Sequence, residues 1–432
     1  MNDFPRCPKV AIIGGGAGGI ELAIRLARSK KAHVTLVDKA SGHFWKPRLH
    51  EVAAGLIDAA ADEVGYLALG QKHGFRFHYG SLESVEVSTL TVTVAAVRPR
   101  SGAEEILRPR TFHCDTLVLA FGSRVDDFGI EGVNSYCHML DSSAQAEAFN
   151  RQFLDAALQI YEGQRSCLKI GIVGAGATGV ELAAELYHAA HDMKLYGGLG
   201  TEGRLDITIV DMANRVLPGA DLKASAYAAS KLGTLGVKIV LAEAVARVTV
   251  EGFHLKNGSV IPCDLKVWAS GIAGLPLSRT ISGLHLARQD RLITDAYLSC
   301  VGVENIYAIG DCAAVPDGHG GKALPATAQV AHQQAAYLAK ALPRKWQGKP
   351  IRPFVYNPRG SLVSLGHSDA TAEFPSLFRT DTAIVTFGIL PKLLYGSLQY
   401  LHRVALYGWV RASALGAADW LRRITIPPVK LH

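Results

Sequence analysis

Short β-branched apolar runs alternate with longer stretches of helical period along most of this chain. Val10-Ala11-Ile12-Ile13 is the first run, and its unbroken apolar pattern predicts a strand buried on both faces of a parallel sheet. It opens into Gly14-Gly15-Gly16-Ala17-Gly18-Gly19, then into Ile20, Leu22, Ala23, Leu26 and Ala27 at helical spacing. A second run, Val34-Thr35-Leu36-Val37, closes on Asp38. The series then repeats: Lys169-Ile170-Gly171-Ile172-Val173, Gly174-Ala175-Gly176-Ala177-Thr178-Gly179, a helix through Val180, Leu182, Ala183 and Leu186, and a strand from Asp206 to Val210 closing on Asp211. Asp38 lies 19 residues past Gly19 and Asp211 lies 32 past Gly179, so the second copy carries an insertion. Residues 191–204, with Gly197, Gly198, Gly200 and Gly203, are its expected place.

This repeated pattern has a chemistry. In a G-x-G-x-x-G turn between strand and helix, the first glycine makes the tight turn, the second lets backbone approach a pyrophosphate, and the third lets helix and strand pack closely. Those tasks fall to Gly14, Gly16 and Gly19, and again to Gly174, Gly176 and Gly179. The helix N-terminus favours phosphate charge, and the strand-terminal acids Asp38 (beside Lys39) and Asp211 can accept ribose hydroxyls. One such loop is weak evidence; two in matching contexts point to a flavin and a nicotinamide in one chain. Asp211 suits the 2′-hydroxyl of NADH and opposes the 2′-phosphate of NADPH, with Arg215 four residues on able to soften the choice.

Two further strands end on candidate cofactor residues. Thr116-Leu117-Val118-Leu119-Ala120 runs into Phe121-Gly122, and Asn305-Ile306-Tyr307-Ala308-Ile309 into Gly310-Asp311. Asp311 either stands beside a bound cofactor or serves as an ordinary helix N-cap. Glu181, read alone, is a first-turn acid favoured by the helix dipole. Gln329 and Gln333 share a helix face at i and i+4, with His332 one position off it.

Composition changes the picture at two points. The seven cysteines form an odd count with no C-x-x-C, which excludes a disulfide framework, a zinc ribbon and a dithiol redox centre. No metal site is expected. The formal net charge is +7, of which +5 falls between Pro391 and His432, where six bases meet only Asp419. Leu394, Leu398, Leu401, Ala405 and Trp409 fall near one face there, with Lys392 and Arg403 roughly opposite. A helix like this can lie on an anionic lipid surface, pack on the core or form a homodimer interface. It is too apolar for nucleic acid and offers no binding motif. Its charges argue against spanning a bilayer, and the N-terminus lacks signal-peptide features, so the cytoplasmic face of the cell membrane is the expected location.

The whole pattern resembles the two-dinucleotide-binding-domain flavoproteins, and within them the type II NADH:quinone oxidoreductases. The closer resemblance rests on Phe44-Trp45-Lys46-Pro47-Arg48-Leu49-His50-Glu51-Val52-Ala53-Ala54-Gly55, on Ala328-Gln329-Val330-Ala331-His332-Gln333-Gln334-Ala335 and on the basic apolar C-terminus. It implies an α/β fold: a FAD domain with an inserted NADH domain, both Rossmann-like, and a C-terminal membrane-associating helical region. The expected division is 1–125 and 290–350 for the flavin, 126–289 for NADH and 351–432 for the membrane. The resemblance further implies non-covalent FAD held by the first loop, Asp38, Lys39, Pro47, Ala120, Gly122, Gly310 and Asp311. NADH is implied at the second loop, Asp211, Ala269 and Gly271, and a membrane quinone as acceptor. Gln329 and Gln333 would border the quinone, Glu181 would stand near nicotinamide and flavin, and His332 would have a minor part in proton relay. Sulfide:quinone oxidoreductases share the fold but need paired cysteines, and Cys167 and Cys312 cannot be paired from sequence. A soluble flavoprotein reductase of a small redox protein, and a nucleotide-responsive binding protein without turnover, are the rival readings.

Overall fold

The computed structural model describes residues 7–99, 104–194, 204–317, 323–366, 369–375 and 383–425. The glycines expected in an insertion (Gly197, Gly198, Gly200 and Gly203) and the terminal Pro427–His432 stretch lie outside the described residues. The elements used below run in chain order from β1 (Lys9–Ile13), α1 (Ala17–Ser29), β2 (His33–Asp38), α2 (Leu49–Ala53), β3 (Arg76–Tyr79) and β4 (Thr116–Leu119). They continue with β5 (His138–Met139), α3 (Ser143–Tyr161), β6 (Leu168–Val173), α4 (Ala177–Lys194), β7 (Leu205–Val210), β8 (Lys238–Val240) and β9 (Leu265–Trp268). The last are β10 (Ile306–Ala308), α5 (Ala328–Trp346), β11 (Ser361–Ser364), β12 (Ala370–Pro375), β13 (Ala383–Phe387), α6 (Ile389–Tyr407) and α7 (Trp409–Thr425).

The chain forms two compact units. The first comprises Met1–Trp45, Glu63–Arg124 and Ile272–Asn357, and the second Lys46–Asp62, Val125–Gly271 and Pro358–His432. The first unit carries a five-stranded parallel sheet in the order β10-β4-β1-β2-β3. Its β-branched strands are buried on both faces, as in Val10, Ile12, Leu117 and Val118, which is why they read as unbroken apolar runs. Helix α1 packs against α5 through Gly18, where a side chain would press within 3.2 Å of the Ala331 carbonyl oxygen.

The second unit repeats this sheet as β5-β9-β6-β7-β8, again parallel throughout. Both are Rossmann-like layers of the α/β class. They differ in how the outermost strand is supplied. In the first unit it is β10, long after the rest of the sheet in sequence; in the second it is β5, ahead of the rest. The second unit also holds the antiparallel sheet β11-β12-β13 and the helices α6 and α7.

The C-terminal helices depart from the sequence expectation. Gly408, at φ +80, ends α6, so Trp409 opens a separate helix rather than extending one face. Leu394 and Ala405 are half-buried, while Ile389, Leu390, Leu393, Leu398 and Leu401 are exposed. Lys392 and Arg403 are not free for headgroups: they turn inward, Lys392 to Ser364 and Glu185, Arg403 to Asp62 and Asp419. The carboxylates gathered there give the bases better partners than water does. Among the described residues, no helix is long and apolar enough to cross a membrane.

Candidate functional site

The two glycine loops obey one geometry. Gly14 and Gly174 have φ of +103° and +115°, a conformation open to glycine. A side chain on Gly14 would strike the Ala120 carbonyl, and one on Gly174 would stand 2.7 Å from the Ala269 carbonyl oxygen. One on Gly19 would collide with the Gly14 carbonyl, and one on Gly179 with the Gly174 carbonyl. The middle glycines are different: Gly16 meets nothing nearer than 4.0 Å and Gly176 meets nothing within 4 Å. Each loop is therefore crowded by its own fold at the first and third glycine and open at the second. Such a cradle fits a pyrophosphate.

The strand-terminal acids hold the loops in place. Asp38 accepts the Gly15 N–H at 2.6 Å and the Ala40 N–H at 2.7 Å; Asp211 accepts Ala175 N–H at 2.6 Å and Ala213 N–H at 2.8 Å. Lys39 is exposed beyond the first of them. Two residues not anticipated from sequence, Tyr66 and His43, reach the Gly15 carbonyl at 2.8 and 2.9 Å. Arg215 donates to the Pro218 carbonyl at 2.6 Å. At the end of β9, Gly271 (φ +80) lies against the Phe128 ring, and the Trp268 indole N–H donates to the Asp126 carbonyl at 2.9 Å.

Asp311 is not an N-cap. It sits within a single 3₁₀ turn, and its carboxylate accepts the Ser123 hydroxyl at 3.1 Å, just past Gly122. Gly310, at φ +73, donates its N–H to Gln334 Oε1 at 2.7 Å, and Arg291 donates to the Asp311 carbonyl at 3.0 Å. Gln334, next to the glutamines singled out, is thus the buried member that shapes this turn. Gln329 accepts the Tyr356 hydroxyl at 2.8 Å. Gln333 uses both ends of its amide on Asn357, donating to its carbonyl at 2.8 Å and accepting its N–H at 3.0 Å. His332 pairs with Glu21 of α1 and pins α5 to that helix.

The second unit contains a buried charged cluster that sequence reasoning reached only through Glu181. Glu181 is 7% exposed; its Oε1 accepts the Ser364 N–H at 3.0 Å and its Oε2 lies 3.5 Å from His50 Nδ1. Burial, reinforced by Glu185 and Glu51, pushes its carboxyl up to about 8 against the opposing Ser364 N–H. Burial likewise brings the His50 imidazole down to about 4. Glu51 remains a carboxylate despite burial, because Arg48 holds it at 2.6 Å. Arg48 also pairs with Asp62. Lys392 donates to the Ser364 hydroxyl at 2.7 Å, and Tyr395 to the Pro47 carbonyl at 3.4 Å. His50 stood in a quoted motif yet carried no signal of its own, and nothing about Ser364 in sequence pointed to Glu181.

Comparison with known proteins now adds to this geometry. Residues 8–335 match the model of the pyridine nucleotide-disulphide oxidoreductase family. The chain is 36% identical to a type II NADH:quinone oxidoreductase of Haemophilus influenzae, across 98% of this chain and 99% of that one. It is 27% identical to a Staphylococcus aureus protein of the same description, across 84% and 88%. Among solved structures, the NDH2 of Plasmodium falciparum in complex with NADH superposes with a TM-score of 0.79 at 20% identity, covering 98% of this chain and all of that one, a likeness of fold.

Proposed function

This chain belongs to the family of type II NADH:quinone oxidoreductases, and we propose that it oxidises NADH through bound FAD and reduces a membrane quinone to quinol. The observation that carries the reading is the pair of complete dinucleotide cradles, each closed by its own backbone at the first and third glycine and open at the second. Gly14, Gly16, Gly19, Asp38 and Asp311, with Pro47, Ala120, Gly122 and Gly310, would hold FAD; Gly174, Gly176, Gly179, Asp211, Ala269 and Gly271 would hold NADH. When bound, the flavin supplies the two-electron chemistry that joins hydride oxidation to quinone reduction. The chain supplies orientation, charge and protons. Asp211 selects the unphosphorylated ribose, and Arg215, held by Pro218, leaves that preference in place.

The inverted helix α6 supports a lipid-soluble acceptor. Lys392 and Arg403 face inward while Leu390, Leu393, Leu398 and Leu401 are exposed, Leu393 at 67%, and α7 exposes Trp409, Trp420 and Val410. An apolar side with aromatic residues suits the acyl boundary of an anionic membrane, here its cytoplasmic face. Gln329 and Gln333 act by holding Tyr356 and Asn357 at the quinone end of α5.

Purified flavin-loaded protein is expected to oxidise NADH slowly alone and much faster with added quinone. Absence of quinone stimulation, with FAD at one per chain, would overturn the reading. Reduction of a small iron–sulfur protein in its place would favour the soluble reductase.

A further inference from the structure

Among the bulky residues held at positive φ are Leu217 at +50, Leu298 at +66 and Phe128 at +51. That conformation strains an L side chain and persists only where something offsets the cost. For these two leucines the offset is burial, at 4% and 0% exposed. Phe128, the one aromatic residue at positive φ among the described residues, is 50% exposed, so core packing does not account for it.

The loop around Phe128 is fixed by hydrogen bonds. The Phe128 N–H donates to Asp126 Oδ1 at 2.9 Å and the Gly129 N–H to Asp127 Oδ1 at 3.0 Å, while the Asn134 amide holds the other Asp127 oxygen. The Trp268 indole at the end of β9 donates to the Asp126 carbonyl at 2.9 Å, and the Asp126 N–H reaches the Gly271 carbonyl at 3.4 Å. These bonds set the tip of the Phe128 ring on Gly271, where a side chain would stand 2.4 Å from Cζ and 2.8 Å from Cε2.

The sheet order identifies what lies beside that ring. In a doubly wound sheet the ligand lies beyond the carboxyl ends of the strands, in the crevice where the strand order reverses. In the second unit β6 stands between β7 and β9, so that crevice opens past β6 on the β9 side. Asp211 follows β7, the Gly176 cradle follows β6, and the Ala269 carbonyl just past β9 abuts Gly174. A dinucleotide with its adenosine ribose at Asp211 and its pyrophosphate at Gly176 therefore carries its nicotinamide toward β9, where Phe128 stands.

We propose that Phe128 is a wall of the nicotinamide subsite: the exposed part of its ring packs on the nicotinamide and fixes the angle at which that ring is presented. The inference rests on NADH as the occupant of the second loop. A planar ring suits an aromatic neighbour, and a side chain already held in a rigid loop loses little freedom on binding. Recognition is divided along the dinucleotide. Asp211 and the Gly176 cradle take the adenosine diphosphate half, and Phe128 takes the half that reacts.

The test uses the full-length, flavin-loaded protein and two ligands that cannot reduce it. ADP-ribose lacks the nicotinamide, and tetrahydro-NADH keeps that ring without a hydride to give. Calorimetry measures both on wild type, Phe128→Asn and Phe128→Tyr, with flavin content as the check on folding. Asparagine adopts positive φ readily, so Phe128→Asn keeps the backbone and loses the ring. This variant is expected to bind tetrahydro-NADH about tenfold more weakly and ADP-ribose within about twofold of wild type, with Phe128→Tyr near wild type for both. In turnover it should raise KM for NADH and leave KM for quinone unchanged. Equal losses for the two ligands would mean a loop that only supports the fold, and an unchanged tetrahydro-NADH affinity a ring that does not reach the nicotinamide; either overturns the proposal. If wild-type protein bound neither ligand, the NADH reading would fall and the proposal with it, an outcome read on wild type alone.

Discussion

Glu21 and Glu181 occupy the same place in the two halves of the molecule and have acquired different surroundings. Each stands two residues past the third glycine of its loop, and each is 7% exposed. Glu21 meets the Arg25 guanidinium at 2.6 Å and the His332 ring across from α5. Glu181 meets other acids, Glu185 and Glu51, while the nearest ammonium, Lys392, is drawn to Glu185 at 3.7 Å and to the Ser364 hydroxyl. Burial beside a guanidinium leaves a structural pair; burial among acids leaves a proton holder. The duplicated loop settles where the carboxyl sits, and residues far away in sequence settle what it is.

The largest effects should come from the loops themselves, where the two copies ought to behave alike. Gly19→Ala and Gly179→Ala each drive a methyl group into backbone, the Gly14 and Gly174 carbonyls, which cannot move without shifting the helix. A loss on the order of 3 kcal/mol is expected for each, read from urea midpoints. Gly16→Ala and Gly176→Ala point into open space, so stability should hold within about 0.5 kcal/mol while dinucleotide affinity falls. Equal loss of stability at the second and third glycines would break the account of the cradle.

That contrast also marks how far sequence reasoning reaches. The glycines, Asp38 and Asp211 were legible because local backbone geometry dictates them, and period-two and period-3.6 patterns identify the strands and helices around them. Asp311 supports two readings in sequence, since its partner Ser123 is distant along the chain and only the fold joins them. In the tail, periodicity places Lys392 and Arg403 toward headgroups, and the structure turns both inward. Periodicity shows that one helix face is apolar and another charged, but not which is inward, and here carboxylates supplied by other elements pull the charges in. His50 and Ser364 carry no sequence signal for the same reason: their significance lies in contacts to Glu181.

The next effect separates the two glutamates by pH. The folded state keeps the Glu181 proton up to about 8, whereas the unfolded chain loses it near 4.5, so this contribution is full at low pH and fades as pH rises toward 8. His50 acts in the opposite sense between about 4 and 6.5, because the folded ring resists the proton that the unfolded ring accepts. The two contributions offset one another below 6.5. From 6.5 to 8 only Glu181 remains, and stability should fall by up to about 2 kcal/mol. Glu181→Gln should remove that decline, as measured by urea unfolding at the two ends of the window. A wild-type protein as stable at pH 8 as at 6.5 would count against a protonated Glu181.

The smallest effect belongs to the other half. His332 is 44% exposed at its side chain, so its pairing with Glu21 is screened by water. His332→Gln keeps a donor near Glu21 and should cost less than about 1 kcal/mol. The pH 6.5–8 decline should persist in this variant with the same slope, because Glu181 and His50 are untouched. Quinone reduction should also remain near wild type, since His332 serves the α1–α5 contact. A His332 variant that lost quinone turnover while keeping its melting temperature and flavin content would give the Glu21 pair a part in turnover that a purely structural contact does not have.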